Sequence, residues 1–232
     1  MIDDSGAPMH ITPRAPFGIY SRAPLRLSMG GGGTELSPYM EDFGGVTLNT
    51  TINRFAHAII EHHPEGEVEF VATDIRKRFR STPATNLEPG TELPLHVAVY
   101  NEMVRTVTGG EPFPVKITTF CDAPVGSGLG SSSTMTAAII NVYNAYLQLD
   151  MGKYELARVA FDIERNILGL AGGRQDQYAA AFGGFNFIEF HQTPSGSAHS
   201  RRIGVLAGSL LHRHIPKLSS DYFFASRSRE SV

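Results

Sequence analysis

The stretch Asp122-Ala-Pro-Val-Gly-Ser-Gly-Leu-Gly-Ser-Ser-Ser133 holds glycines at alternate positions, Gly126, Gly128 and Gly130, followed at once by three serines. Alternate glycines admit backbone conformations closed to other residues, so the loop's N–H groups can converge on an anion. A helix starting at the serines would add its unsatisfied N–H groups and the positive end of its dipole. The hydroxyls of Ser131, Ser132 and Ser133 are hard oxygen ligands of the kind a nucleotide-bound Mg²⁺ accepts. This pattern predicts phosphate binding, against the plainer reading of a tight strand-to-helix turn with capping serines. It is not a Walker A loop, since no Lys-Ser/Thr follows the last glycine. Nor is it a dinucleotide fingerprint, which needs a glycine where Ser131 stands.

Two carboxylates and one arginine could act on a phosphate held there. Asp176 follows the turn Gly172-Gly173 and opens an alanine-rich segment, where a helix dipole favours its ionised form. Such a carboxylate can accept or orient a hydroxyl proton, and a second one, Glu164, can hold Mg²⁺ between phosphate oxygens. Taken singly, Asp176 reads equally as an N-cap, and Glu164 as a solvated acid lying off its helix's apolar stripe. Arg26 is by default a strand-end residue, yet it can also stabilise charge on a transferring phosphoryl group. Four adjacent glycines, Gly30, Gly31, Gly32 and Gly33, are entropically costly and suggest close backbone approach to a ligand. Thr34 and Glu35 then supply groups suited to sugar hydroxyls, with a flexible surface loop as the alternative. His62-His63-Pro64 reads as a solvated turn. His212 and His214 lack a Cys or acidic partner at metal-ligand spacing, which argues against zinc. Cys121 reads as a small buried strand residue.

The elements that must position these groups follow from periodicity. Arg22–Met29 reads as a short strand. Phe55–Ile60 reads as a strand buried on both faces, with Val68–Val71 its hairpin partner. Residues 76–91 read as a charged loop, 93–107 as a helix, and Val115–Cys121 as the strand feeding the glycine–serine loop. Met135, Ala138, Ile139, Val142, Ala145, Tyr146 and Leu149 define the clearest helical face, with serines 131–133 as N-caps. A second helix runs from Tyr154 to Leu168, its stripe formed by Leu156, Val159, Ala160, Ile163 and Ile167. A short helix, Asp176–Phe182, and a strand, Phe185–Phe190, follow. Irregular alternation of strands and helices favours an α+β class over a doubly wound parallel sheet.

Composition bounds the rest. The 232 residues are 41% hydrophobic and 19% charged, enough for a substantial core, and the net charge of −3 provides no global basic field to attract nucleic acid or an anionic membrane. The single cysteine suits a reducing compartment, and an acidic N-terminus is unlike a secretory signal, so the reading is cytoplasmic. No apolar run reaches membrane-spanning length. The division expected is an extended arm at 1–20, a domain at 21–190, and an irregular arginine- and serine-rich tail at 191–232, in which Leu206, Leu210 and Leu211 could mark one short helix. Oligomeric state is left open.

In order, these pieces resemble the GHMP kinase superfamily. Pro124-Val-Gly-Ser-Gly-Leu-Gly-Ser-Ser-Ser133 is similar to that family's phosphate-binding motif, and Ala23-Pro-Leu-Arg26 to its N-terminal motif, with Leu25 in place of the usual glycine. Within the superfamily, residues 22–35, 122–133 and 172–184 resemble the D-glycero-D-manno-heptose 7-phosphate kinase group. The resemblance implies a GHMP-kinase-like N-terminal domain with a truncated or irregular C-terminal part, since the family's third, glycine-rich motif is missing. It implies ATP binding by Pro124, Gly126, Ser127, Gly128, Leu129, Gly130, Ser131 and Ser132, and Mg²⁺ held by Ser132 and Glu164. Asp176 would be the catalytic carboxylate and Arg26 its charge-stabilising partner, with Gly31, Gly32, Gly33, Thr34, Glu35 and Asp176 facing a small sugar phosphate. The implied reaction is phosphoryl transfer from ATP to the anomeric hydroxyl of a heptose 7-phosphate. A kinase for another sugar, or a non-catalytic nucleotide or sugar-phosphate binding remnant of the same fold, is the alternative.

Overall fold

The computed structural model describes residues 18–88 and 92–191 together with the backbone of Ile203–Ala207. Among the described residues one mixed seven-stranded sheet carries helices on one face, in the order β4 (Lys77–Ser81), β3 (Val68–Ala72), β5 (Val115–Cys121), β2 (Gly45–Glu61), β6 (Phe185–Phe190) and β7 (Ile203–Ala207), with β1 (Ile19–Gly30) on the other edge of β2. This is the expected α+β class.

The organising element is β2 (Gly45–Glu61), long enough to serve two partners in turn. Its second half pairs antiparallel with β5 (Val115–Cys121) through residues 56–61, and its first half with β6 (Phe185–Phe190) through residues 45–50. β1 (Ile19–Gly30) runs along the whole opposite edge. Between the two pairings β2 is open, and there Phe55 and Thr51 bond instead to Asp122 and Gly184. The loops that leave β5 and enter β6 are thereby brought together. Beside this gap the β1–β2 register slips between Pro24 and Arg26, which re-aims the strand at Arg26.

On the helical face, Ala23, Ala56, Ala58, Ile60, Phe70, Val115 and Ile117 are fully buried. They share one core with the buried residues of α2 (Pro94–Thr106), α3 (Ser131–Tyr146) and α5 (Gln175–Phe182), and with those of α4 (Lys153–Phe161), which packs against α3 and α5. α3 is enclosed by β1, β2, α2, α4 and α5, which is why residues well outside the expected stripe, Ala137, Ile140 and Tyr143, are also buried. On the other face of β2, His57 stacks on Phe120 at 4.1 Å and its Nδ1 lies 2.6 Å from the Tyr20 hydroxyl. On that face His57 is buried while Phe55 and Ile59 are half-buried, so the stretch is fully buried toward the helices and only partly covered on the other side.

Several expectations are corrected. Val68–Val71 lies on β3 (Val68–Ala72), which pairs parallel with β5 rather than as a hairpin with β2. Its hairpin partner is β4 (Lys77–Ser81), inside the stretch read as a loop. Phe79 is β4's single apolar residue, and a basic edge strand hides its alternation. α1 (Tyr39–Phe43) carries no periodic signal at five residues. The serines do not cap α3: Gly130 is its N-cap and Ser131 its first residue. His63 is buried rather than solvated, its Nδ1 accepting the backbone N–H groups of Glu65 and Glu67. Ile203–Ala207 forms β7, antiparallel to β6, so Leu206 lies on a strand rather than a helix. Leu210, Leu211, His212, His214 and most of the expected arm fall outside the described residues. Among those described, no helix is long and apolar enough to cross a membrane.

The largest correction concerns the second helix. α4 stops at Phe161 and passes into a π-helical turn, Asp162–Ile167, in which Leu168 N–H donates to the Ile163 carbonyl at 3.0 Å. The wider turn places Leu168 under Ile163 where α-helical spacing would place Ile167, which is instead 52% exposed. Glu164, which lies off the expected apolar stripe, is fully buried, which rules out its plainer reading as a solvated acid.

Candidate active site

Gly126, Gly128 and Gly130 all have positive φ, 81°, 73° and 74°. This left-handed backbone is what the alternate glycines supply, and the loop delivers the chain into the N-terminus of α3. Arg26 fastens the loop from β1. Its backbone N–H donates to the Leu129 carbonyl at 3.2 Å, and its Nη1 to the Gly128 carbonyl at 2.7 Å.

The same guanidinium reaches Asp176 on α5, with both Nε and Nη2 at 2.7 Å from Oδ1. The other carboxylate oxygen, Oδ2, faces the loop: a Cβ built on Gly130 would lie 3.4 Å from it. Both side chains are largely sheltered, 12% and 22% exposed, so the pair is neither buried nor freely solvated.

Behind the loop, the Ser132 hydroxyl donates to Glu164 Oε1 at 2.6 Å, and Gln177 Nε2 donates to Glu164 Oε2 at 2.5 Å and to Ser133 Oγ at 3.0 Å. Gln177 Oε1 is buried without a hydrogen-bond partner among the described residues. A hydroxyl, a carboxylate and an orphaned amide oxygen at the start of α3 are a hard-oxygen set that fits Mg²⁺, which is typically held by one or two protein oxygens plus phosphate and water. Among the described residues no group of three His, Cys, Asp or Glu forms a self-contained metal cage.

The glycine run lies on the other side of Asp176. Gly31 has φ 76°, and a Cβ there would come within 1.9 Å of the Val46 carbonyl oxygen. Thr34 Oγ1 donates within the loop to the Gly31 and Val46 carbonyls at 2.8 and 3.0 Å and accepts the Val46 N–H at 3.0 Å. Glu35 is buried, its Oε1 accepting from Gln175 Nε2 at 2.7 Å and its Oε2 from the Gly33 N–H at 2.8 Å.

Beside Ser131 and Ser132 opens a cavity of about 220 Å³, lined mainly by Ile75, Leu93, Pro94, Val125 and Met135, with His96 at its edge. His96 Nε2 lies 2.9 Å from Thr119 Oγ1, and burial pushes the imidazole down to about 4. The Cys121 thiol borders the same cavity and burial raises it, so it is a poor nucleophile.

The structure therefore brings Arg26, Asp176, Ser132, Glu164, the glycine–serine loop and the glycine run into one neighbourhood. Gln175 and Gln177, next to Asp176, belong to it too and carry no signal of their own in sequence. Near a helix start, successive side chains point about 100° apart. Three adjacent residues thus reach three different elements: Glu35, Arg26 and Glu164.

Residues 95–184 match the profile of the GHMP kinases N terminal domain. Over 173 residues the chain is 38% identical to D-glycero-alpha-D-manno-heptose 7-phosphate kinase of Campylobacter jejuni, covering 75% of this chain and 51% of that protein. It is 27% identical over 207 residues to L-fucokinase/L-fucose-1-P guanylyltransferase of Bacteroides fragilis, covering 78% of this chain and 21% of that one. The crystal structure of a D-glycero-D-manno-heptose 1-phosphate kinase from Bacteriodes thetaiotaomicron superposes with a TM-score of 0.75 at 45% identity, covering 81% of this chain and 58% of that one. Methanococcus jannaschii mevalonate kinase, at 17% identity and a TM-score of 0.64 over 79% of this chain and 57% of that one, shares the fold. The chain thus spans 51% of the Campylobacter protein and 58% of the heptose kinase crystallised.

Proposed function

The chain carries a GHMP kinase N-terminal domain, and from that premise we propose that it transfers the γ-phosphoryl group of ATP to the anomeric hydroxyl of a sugar phosphate, D-glycero-D-manno-heptose 7-phosphate. The observation that carries the proposal is the doubly bonded Arg26–Asp176 pair set against the glycine–serine loop. The reaction class and the choice of sugar lean on the heptose kinases to which the chain is 38% and 45% identical.

In this reading the loop residues Pro124, Gly126, Ser127, Gly128, Leu129, Gly130, Ser131 and Ser132 cradle the triphosphate, whose nucleoside occupies the adjoining apolar cavity. The acceptor lies along Gly31, Gly32, Gly33 and Thr34, with the buried Glu35 behind them, presenting its hydroxyl to Asp176. The hydroxyl oxygen bonds to the γ-phosphorus as the bridging P–O bond to ADP breaks, and its proton passes to Asp176 Oδ2, the oxygen Arg26 does not grip. Arg26 offsets the negative charge spread over the transferring group. Ser132 and Glu164 would hold Mg²⁺, which supplies charge neutralisation between phosphate oxygens when bound.

The test is ADP release by the full chain with Mg·ATP and the heptose phosphate, run beside a panel of other sugars and Asp176→Asn. Turnover is expected with the heptose phosphate and is expected to fall by about 10³-fold in the variant, with Mg·ATP binding retained. Turnover with a different sugar alone would overturn the substrate assignment. Silence across the panel, from protein that binds Mg·ATP, would overturn the activity.

A further inference from the structure

Gln175 is 8% exposed and precedes the proposed catalytic carboxylate, but its side chain points away from it. Its Nε2 donates to Glu35 Oε1 at 2.7 Å, and its Oε1 accepts the Ser28 hydroxyl at 3.2 Å. Glu35 in turn takes the Gly33 N–H on its second oxygen. The amide also underlies the glycine run, since a Cβ on Gly32 would stand 3.6 Å from both Gln175 Nε2 and Ser28 Oγ. Gly173 lies against Glu35 so closely that a Cβ there would be 2.3 Å from Glu35 Cγ. One chain of hydrogen bonds, buried at its Gln175–Glu35 link, therefore joins the end of β1, the glycine run and the first residue of α5.

Resting on the reading of this site as a kinase, we infer that Gln175 is a positioning residue that locks the acceptor loop to Asp176 through Glu35. Glu35 is turned inward, 4% exposed, with both oxygens engaged. It acts on the acceptor by holding Gly33 and its neighbours in place instead of by touching the sugar. The phosphate loop is fixed independently, by Arg26 on Gly128 and Leu129. Loosening Gln175 therefore affects the acceptor and leaves the nucleotide alone.

The experiment compares the full chain with Gln175→Met, which keeps the length and removes the amide, and with the exchange variant Glu35→Gln/Gln175→Glu. In the exchange variant the amide oxygen at 35 accepts from Gly33, its NH₂ donates to the carboxylate at 175, and that carboxylate still accepts the Ser28 hydroxyl, so every bond is remade and only the 35–175 link reverses direction. Kinetic constants for both substrates are measured alongside amide hydrogen exchange of residues 30–36, 174–178 and 131–146. For Gln175→Met, kcat/KM for the acceptor is expected to fall about tenfold or more, since small displacements of a positioned reactant are costly. The KM for ATP stays within about twofold, and exchange accelerates in 30–36 and 174–178 but not in 131–146. The exchange variant is expected to recover both readouts. Unchanged acceptor kinetics, an equal rise in both KM values with faster exchange everywhere, or failure of the exchange variant to recover would each overturn the inference. If the parent chain turns over no sugar, the kinase reading falls by itself, and the exchange pattern alone decides whether the lock exists.

Discussion

Arg26 and Asp176 lie 150 positions apart in sequence, yet Nε and Nη2 of the arginine both sit 2.7 Å from one carboxylate oxygen, Oδ1. The grip is one-sided. It leaves Oδ2 toward Gly130 and ties the carboxylate to the arginine that also holds the Gly128 carbonyl. Phosphate loop and catalytic carboxylate are thus mounted on a single side chain.

Arg26→Lys retains a charge but cannot reproduce contacts to Asp176 and Gly128 together, because an ammonium is a point donor and a guanidinium a planar fork. In the ADP-release assay, kcat is expected to drop about a hundredfold, the size of effect seen on losing one oriented donor to a transition-state oxyanion. The backbone contact of residue 26 to Leu129 does not depend on the side chain, so Mg·ATP binding is expected to persist. A lysine variant with full kcat would show that charge alone suffices.

Gly31 and Gly32 make a matched pair for testing whether the glycine run is built or loose. Gly31 sits at φ 76°, with the Val46 carbonyl oxygen 1.9 Å from where a Cβ would be; Gly32 has its nearest neighbours at 3.6 Å. Gly31→Ala is expected to lower stability by about 2–4 kcal/mol through strain and displacement of β2, and Gly32→Ala to change it by less than about 1 kcal/mol. Urea unfolding midpoints of the two variants decide this, and equal midpoints would mark the run as a flexible loop.

His96 makes stability depend on pH. Burial holds its pKa near 4 against an ordinary 6.5. Between these values the unfolded chain binds a proton that the folded chain refuses, so stability falls as pH drops from 6.5 towards 4 and rises in the opposite direction. The full effect of this one residue is about 3 kcal/mol. Unfolding of the parent chain and of His96→Gln, followed from pH 7.5 down, should show the parent losing more stability across that window. Parallel profiles would mean that another group governs the acid limb.

What could be read from the chain was whatever a few adjacent residues decide among themselves. The alternate glycines of 126–130 demand positive φ wherever they fold, and the run from Met135 to Tyr146 has helical spacing in any context. The Gly172-Gly173 turn before Asp176 announces a helix start in the same way. Those local requirements, with the resemblance they support, were enough to nominate Arg26, Asp176, Ser132 and Glu164. They were not enough to say how these residues meet. Glu164 follows buried Ala157 and Ala160 at helical spacing, yet its burial against Ser132 and Gln177 depends on where α3 and α5 pack, and a single π-helical turn swings Ile167 out, a shift that no α-helical period can anticipate. β3 pairs with β5 because of sheet order, which its own alternation does not encode. The roles of Gln175 and Gln177 exist only because α5 starts where Glu35, Arg26 and Glu164 converge. Backbone conformation is set by neighbours along the chain; the partner of a polar side chain is set by register, bulges and helix phase, which only the tertiary structure decides.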